Sequence, residues 1–186
     1  MALAAVSIWG AGADPGRLRD RVTLPDPDPR LPVVTTLSIV RPPGTLVLDT
    51  TRPQLGAPLD KVMSGREAAA LDTRGAVSVK AQITRDDGIS QGVWQVAIRD
   101  GANRRGVLRA ADRLYASVGW QLVPYPVPGV LVRKQSGQPL TAYRAHYLHG
   151  PYLIRIEAYG SDAARVDHDF ADLAGRQLAA SPPDAR

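Results

Sequence analysis

Residues 140–180 read LTAYRAHYLHGPYLIRIEAYGSDAARVDHDFADLAGRQLAA, and this stretch decides the fold. From Thr141 to His149 the chain alternates, with Tyr143, Ala145 and Tyr147 on one side and Arg144 and His146 on the other. A period of two predicts a strand covered on one face. His149-Gly150-Pro151 breaks the pattern, and Tyr152, Ile154, Ile156 and Ala158 resume it against Arg155 and Glu157. So short a connection makes the two strands antiparallel neighbours. Ser161 or Asp162 can then accept a hydrogen bond from the free amides of a helix's first turn. The helix that follows carries Val166, Phe170, Leu173, Ala174 and Leu178 at spacings of three and four, opposite Arg165, Asp169, Asp172 and Arg176, and stops before Pro182-Pro183.

An earlier segment repeats the design. A shift of about sixty places sets Val77–Ile83 and Val93–Ile98 near the two later strands. The same shift lays Val107, Ala111, Leu114 and Val118 over the later helix. Arg105 aligns with Arg165, and Ala111-Asp112 with Ala171-Asp172. Two hairpins with one apolar face each, and two helices with one apolar stripe each, predict an α+β domain. Its antiparallel sheet is built from two strand-strand-helix units, with both helices packed on one face.

The chain of 186 residues is long enough for one domain with a proper core, and its 44% hydrophobic and 22% charged residues are those of a protein that folds. The expected division is an N-terminal segment over 1–32, a single α+β domain over 33–180 and a disordered tail over 181–186. Of the 23 basic residues only Lys61, Lys80 and Lys134 are lysines, so the net charge of +5 is carried by arginine and is spread along the chain. Cysteine is absent. That removes a disulfide framework, a thiolate metal site and a cysteine nucleophile from consideration.

Ala2 to Ala13 form an uncharged apolar run, too short for a bilayer span of roughly 20 residues. Its Ala11-Gly12-Ala13 has the small-x-small pattern of a cleavage site, which reads as the remnant of a signal peptide or anchor and implies export, as a membrane-associated or secreted protein. A buried element of the fold is the alternative. Arg17, Arg19 and Arg21 follow, and they would ordinarily mark the cytoplasmic side of a membrane. Pro25-Asp26-Pro27-Asp28-Pro29 is a semi-rigid spacer.

Val33–Val40 and Thr45–Leu48 bracket the turn Pro42-Pro43-Gly44 and are expected as added strands. A short helix interrupted at Ser64-Gly65 is expected over Leu59–Leu71. Asp86-Asp87-Gly88 is a hairpin turn rather than a calcium loop, which would need spaced ligands and a closing Glu. Gly119 closes the first long helix, and Trp120–Val123 and Val130–Arg133 are short strands around a Pro-rich loop that holds Tyr125.

Few residues invite chemistry. His146 and His149 lie three apart on a strand and so face opposite ways, and His168 sits on the polar side of its helix, which is a poor set for zinc. No nucleophile elbow, P-loop, dinucleotide fingerprint or zinc-protease helix is present, and no cofactor or metal is expected. Arg105, Arg109 and Arg113 recur every four residues as a basic stripe joined by Arg104 and partly offset by Asp112, able to meet phosphates of lipid headgroups or nucleic acid. A concave site around Tyr125, Arg144 and His146 is the enzyme alternative.

The strand Gly150-Pro151-Tyr152-Leu153-Ile154-Arg155 and the helix Asp169-Phe170-Ala171-Asp172-Leu173 resemble the C-terminal part of small exported actinobacterial domains, including lipoproteins of Mog1/PsbP-like layout. The likeness is one of layout over about half the chain, and the lipoprotein cysteine is missing. It implies no catalytic residues. The reading as a whole is a non-catalytic extracytoplasmic binding or accessory domain of the cell envelope, partnered by an envelope protein or lipid. A small basic cytoplasmic adaptor, acting on nucleic acid or on a protein, is the alternative.

Overall fold

The computed structural model describes residues 38–51, 56–137 and 139–185. The expected N-terminal segment and spacer, 1–32, lie outside the described residues. The fold is α+β, with seven antiparallel strands in one open sheet and helices packed against it. The strands are β1 (Thr45–Asp49), β2 (Ala76–Asp86), β3 (Ile89–Ile98), β4 (Gln121–Val123), β5 (Leu131–Gln135), β6 (Thr141–His149) and β7 (Tyr152–Gly160). Their order across the sheet is β1-β2-β3-β7-β6-β5-β4. The two predicted hairpins, β2-β3 and β6-β7, therefore meet at the centre, where β3 pairs with β7.

Local chemistry sets each boundary. Asp87 and Gly88 both have positive φ, 41° and 81°, the turn in which Asp-Gly is favoured because its twist matches that of the strands. The Asp162 side chain accepts from the Arg165 amide and opens helix α3 (Ala163–Ala180). Asn103 does the same through the Gly106 amide for α2 (Arg104–Ser117), which closes at Gly119 with φ of 90°. Ser64 caps the short α1 (Gly65–Asp72), preceded by a single 3-10 turn at Leu59–Lys61.

The expectation that both long helices share one face is corrected. Val166, Phe170, Leu173 and Ala174 of α3 pack on Val93, Ala145, Tyr147, Ile154 and Ile156. Val107 and Ala111 of α2, with Ala68 and Leu71 of α1, pack with Val79, Ala81, Trp94, Val96 and Leu153. Residues 153 and 154, like 93 and 94, point to opposite faces of a pleated strand, so the sheet is sandwiched between α1-α2 and α3. The physical reason lies in the residues read as a solvated side: Arg144, His146, Arg155 and Glu157 are all buried, and they need a cover of their own. Every residue of β3 is buried.

One further expectation changes. Of the strand predicted over Val33–Val40, residues 38–40 are described and form no strand. They are held by side chains instead: the Ser38 amide donates to Gln95 Oε1 at 2.6 Å, the Val40 amide to Gln177 Oε1 at 2.8 Å, and Gln177 Nε2 donates back to the Ser38 carbonyl at 2.6 Å. The tail expected over 181–186 is described as far as residue 185 and is hydrogen-bonded to β6. Tyr147 donates to the Ser181 carbonyl at 2.8 Å, and the Asp184 amide to the Leu148 carbonyl at 2.8 Å.

Candidate functional site

Two polar assemblies stand out, one sealed and one open. The sealed one lies between the sheet and α1-α2. Arg144 faces Glu157 across the β6-β7 ladder, and His146 faces Arg155. Arg144 Nε donates to Glu157 Oε2 at 2.6 Å, Arg155 Nη2 to the same oxygen at 2.5 Å, and Arg155 Nη1 to Glu67 Oε1 at 2.8 Å. Two arginines thus meet two glutamates, and the group is neutral as a unit, which is the condition for keeping such charges away from water. Aromatic rings wall it in. The Arg155 guanidinium lies 4.1 Å from the Trp94 ring centre, and that of Arg144 lies 4.2 Å from the ring of Tyr115. Gly92 makes room for Trp94, since a Cβ there would stand 2.3 Å from the indole.

Burial sets the protonation of this cluster. The His146 ring is stacked on Tyr115 with centroids 5.6 Å apart. Burial, then the charges of Arg155, Arg144 and Arg133, hold it well below the ordinary 6.5, so it is neutral. Burial likewise pushes the Tyr115 hydroxyl upward, beyond the range in which it could exchange a proton near neutrality. No charged member of the cluster is more than a few per cent exposed. Its chemistry is that of a structural knot.

Glu67 was not singled out from the sequence, although a signal is there. Ser64-Gly65-Arg66-Glu67 has the spacing in which Ser caps a helix and Glu, three residues on, reaches back to it. The Ser64 half is made, with the Glu67 amide donating to Ser64 Oγ at 3.3 Å, while the Glu67 carboxylate turns inward to Arg155.

The structure separates the three residues proposed as a concave site. Arg144 and His146 lie in the sealed cluster, whereas Tyr125 is half-buried against the core under α3, on the other side of the sheet. Its Pro-rich loop folds back on the sheet. Among the described residues no group of three His, Asp or Glu side chains is placed to hold a metal ion.

The open assembly is on α2. Arg104, Arg105, Arg109 and Arg113 are all exposed. The first three line a groove of about 460 Å³ whose floor includes Leu108 and Leu148. Gly129, from the loop before β5, and the tail residues Pro183, Asp184 and Ala185 complete its wall. Arg104 donates to the Asp184 carboxylate at 2.9 Å and to the Gly150 carbonyl. Asp112, which adjoins the stripe in sequence, does not offset it: both of its carboxylate oxygens are taken by Arg133 of β5, at 2.6 and 2.9 Å. Among the described residues, Arg105, Arg109 and Arg113 have no acidic partner. Like charges one helical turn apart work against the helix, so this face carries an electrostatic cost that a bound anion would relieve.

No protein-family model, curated protein or solved structure matches this chain, and the reading of its function rests on this geometry.

Proposed function

We propose that the chain is a non-catalytic binding module of the bacterial cell envelope, which engages an anionic partner through the arginine-lined groove of α2. One observation carries the reading: three consecutive turns of one helix present exposed guanidinium groups, from Arg105, Arg109 and Arg113, that no described acid answers and that stand side by side on one face. The groove behind them combines cationic walls with the apolar Leu108 and Leu148, as a site for an amphipathic anion would. The envelope assignment is supported by the apolar run over residues 2–13 and the Pro-rich spacer that follows. No described helix is long and apolar enough to cross a membrane.

The test is vesicle co-sedimentation of the full chain with phosphatidylcholine vesicles, with and without phosphatidylglycerol, over a range of salt. Binding to the anionic vesicles should fall with salt and be lost when Arg105, Arg109 and Arg113 are together changed to Ala. Indifference to that triple change would remove the groove from the account. Binding to single-stranded nucleic acid but not to vesicles would favour the adaptor reading, and recovery of the native protein only in cytosol would overturn the envelope assignment.

A further inference from the structure

A carboxylate of the chain itself already sits in the groove, with both of its oxygens held. The Gly150 amide donates to Asp184 Oδ1 at 2.7 Å, and Arg104 Nη1 donates to Oδ2 at 2.9 Å. The backbone delivers it there. The Asp184 amide is fixed to the Leu148 carbonyl at 2.8 Å, and the Pro182 carbonyl lies 2.7 Å from His149 Nδ1, so the tail runs alongside the end of β6. This arrangement is an anion-binding site defined by an amide, a guanidinium and a carboxylate between them. It is also incompletely neutralised, because Arg105 and Arg109 line the same groove with no described acid of their own. A carboxylate brings one charge and two oxygens, whereas a phosphate monoester brings close to two charges and three strong acceptor oxygens, and arginine's planar fork suits it.

We propose that the groove is a site for a phosphate monoester, and that Asp184 is a built-in occupant which the ligand's phosphate displaces from Gly150 and Arg104. The inference rests on the reading of this groove as an anion-binding surface. In the displaced state the phosphate takes the amide of Gly150 and the guanidinium of Arg104, and its remaining oxygen faces Arg105 and Arg109. Leu108 and Leu148 then lie beside whatever apolar body the phosphate carries. That body belongs either to a soluble metabolite or to a monoester lipid headgroup.

Inorganic phosphate should be titrated into the full chain with the Gly150 amide followed by NMR, for wild type, Asp184→Asn and the double variant Arg105→Gln/Arg109→Gln. The Gly150 amide should shift as phosphate binds. Asp184→Asn should tighten binding by on the order of tenfold, the worth of one lost charge-assisted competitor, and the double variant should abolish it. Unchanged or weaker binding by Asp184→Asn, with the double variant still inactive, would overturn the displacement and leave the groove reading standing. Absence of phosphate binding by wild type and Asp184→Asn alike, with phosphatidylglycerol vesicles still bound, would overturn the ligand class alone. Loss of both kinds of binding in the wild type would overturn the groove reading itself. Vesicles of phosphatidylcholine with phosphatidic acid separate the sources: tighter binding to them than to inorganic phosphate assigns a lipid headgroup, and equal binding assigns a soluble monoester.

Discussion

The two sides of the sheet solve the same packing problem with opposite means. Under α3 the cover is apolar, with an uncharged polar junction in it: Gln177 and Ser181 hold the Ser38 carbonyl while Tyr147 donates to the Ser181 carbonyl. Under α1-α2 three charged side chains of the sheet, Arg144, Arg155 and Glu157, pair with one another and with Glu67 of α1. The outer surfaces of the two long helices differ as well. On α3, Arg165 bridges to Asp86 and Asp87 of the β2-β3 turn, and Arg176 pairs with Asp172. On α2 the acid at hand, Asp112, is spent on β5, and the arginines face outward unanswered. Both long helices cover the sheet with their apolar stripes, and they differ in what they present outward.

Breaking the charged side should have the largest effect. Glu157→Gln leaves Arg144 and Arg155 buried against a neutral amide, and should cost about 3–5 kcal/mol, read from the urea unfolding midpoint. The matching cut on the neutral side, Gln177→Leu, strips partners from the Val40 amide and the Ser38 carbonyl. It should cost about 1–3 kcal/mol by the same assay. If the two losses are equal, the contrast between the faces is not energetic.

A pH series sharpens the contrast further. His146 in the folded chain has its pKa lowered, chiefly by burial, while the unfolded chain takes up a proton near the ordinary 6.5. Below that value the unfolded state binds more protons than the folded one, so stability falls with falling pH. From roughly pH 7 to roughly pH 5.5 this one group should remove about 1 kcal/mol, and His146→Gln should lack that component. A slope identical in the two proteins would mean that the imidazole is not sealed.

The smallest effects belong to the surface. Arg165→Ala should lower the thermal midpoint slightly and less so in high salt, because it breaks exposed bridges to the β2-β3 turn. Arg109→Ala should leave the midpoint unchanged or raise it slightly, because it relieves repulsion between neighbouring turns. A loss of stability in Arg109→Ala would show that the stripe is structural after all.

Local order was legible in the sequence and destination was not. The hairpin over 141–160, the Asp162 cap and the Asp87-Gly88 turn all follow from period and propensity, which act between near neighbours. The parity of Arg144 and His146 was legible too. A period of two separates the faces of a strand without saying whether charges on one of them meet water or each other, and the partners here come from 13 and 88 residues away. Asp112 misled in the reverse sense: next to the arginines along the helix, it belongs in space to Arg133. The stripe itself was readable, since it needs only the helical repeat. The groove was not, because its far wall is the tail.

The central pairing of β3 with β7 joins Ser90 to Tyr159 and Ala97 to Tyr152, partners that lie more than fifty positions apart along the chain. Its consequence is one of timing. As the chain leaves the ribosome, β3 is made early, apolar and hydrogen-bonded along one edge by β2, and its other edge has no partner until the second hairpin has been synthesised. Such an edge is a template for pairing with another chain. Production of this protein should therefore favour slow, cool synthesis, and chains halted before Tyr152 should be the ones that aggregate.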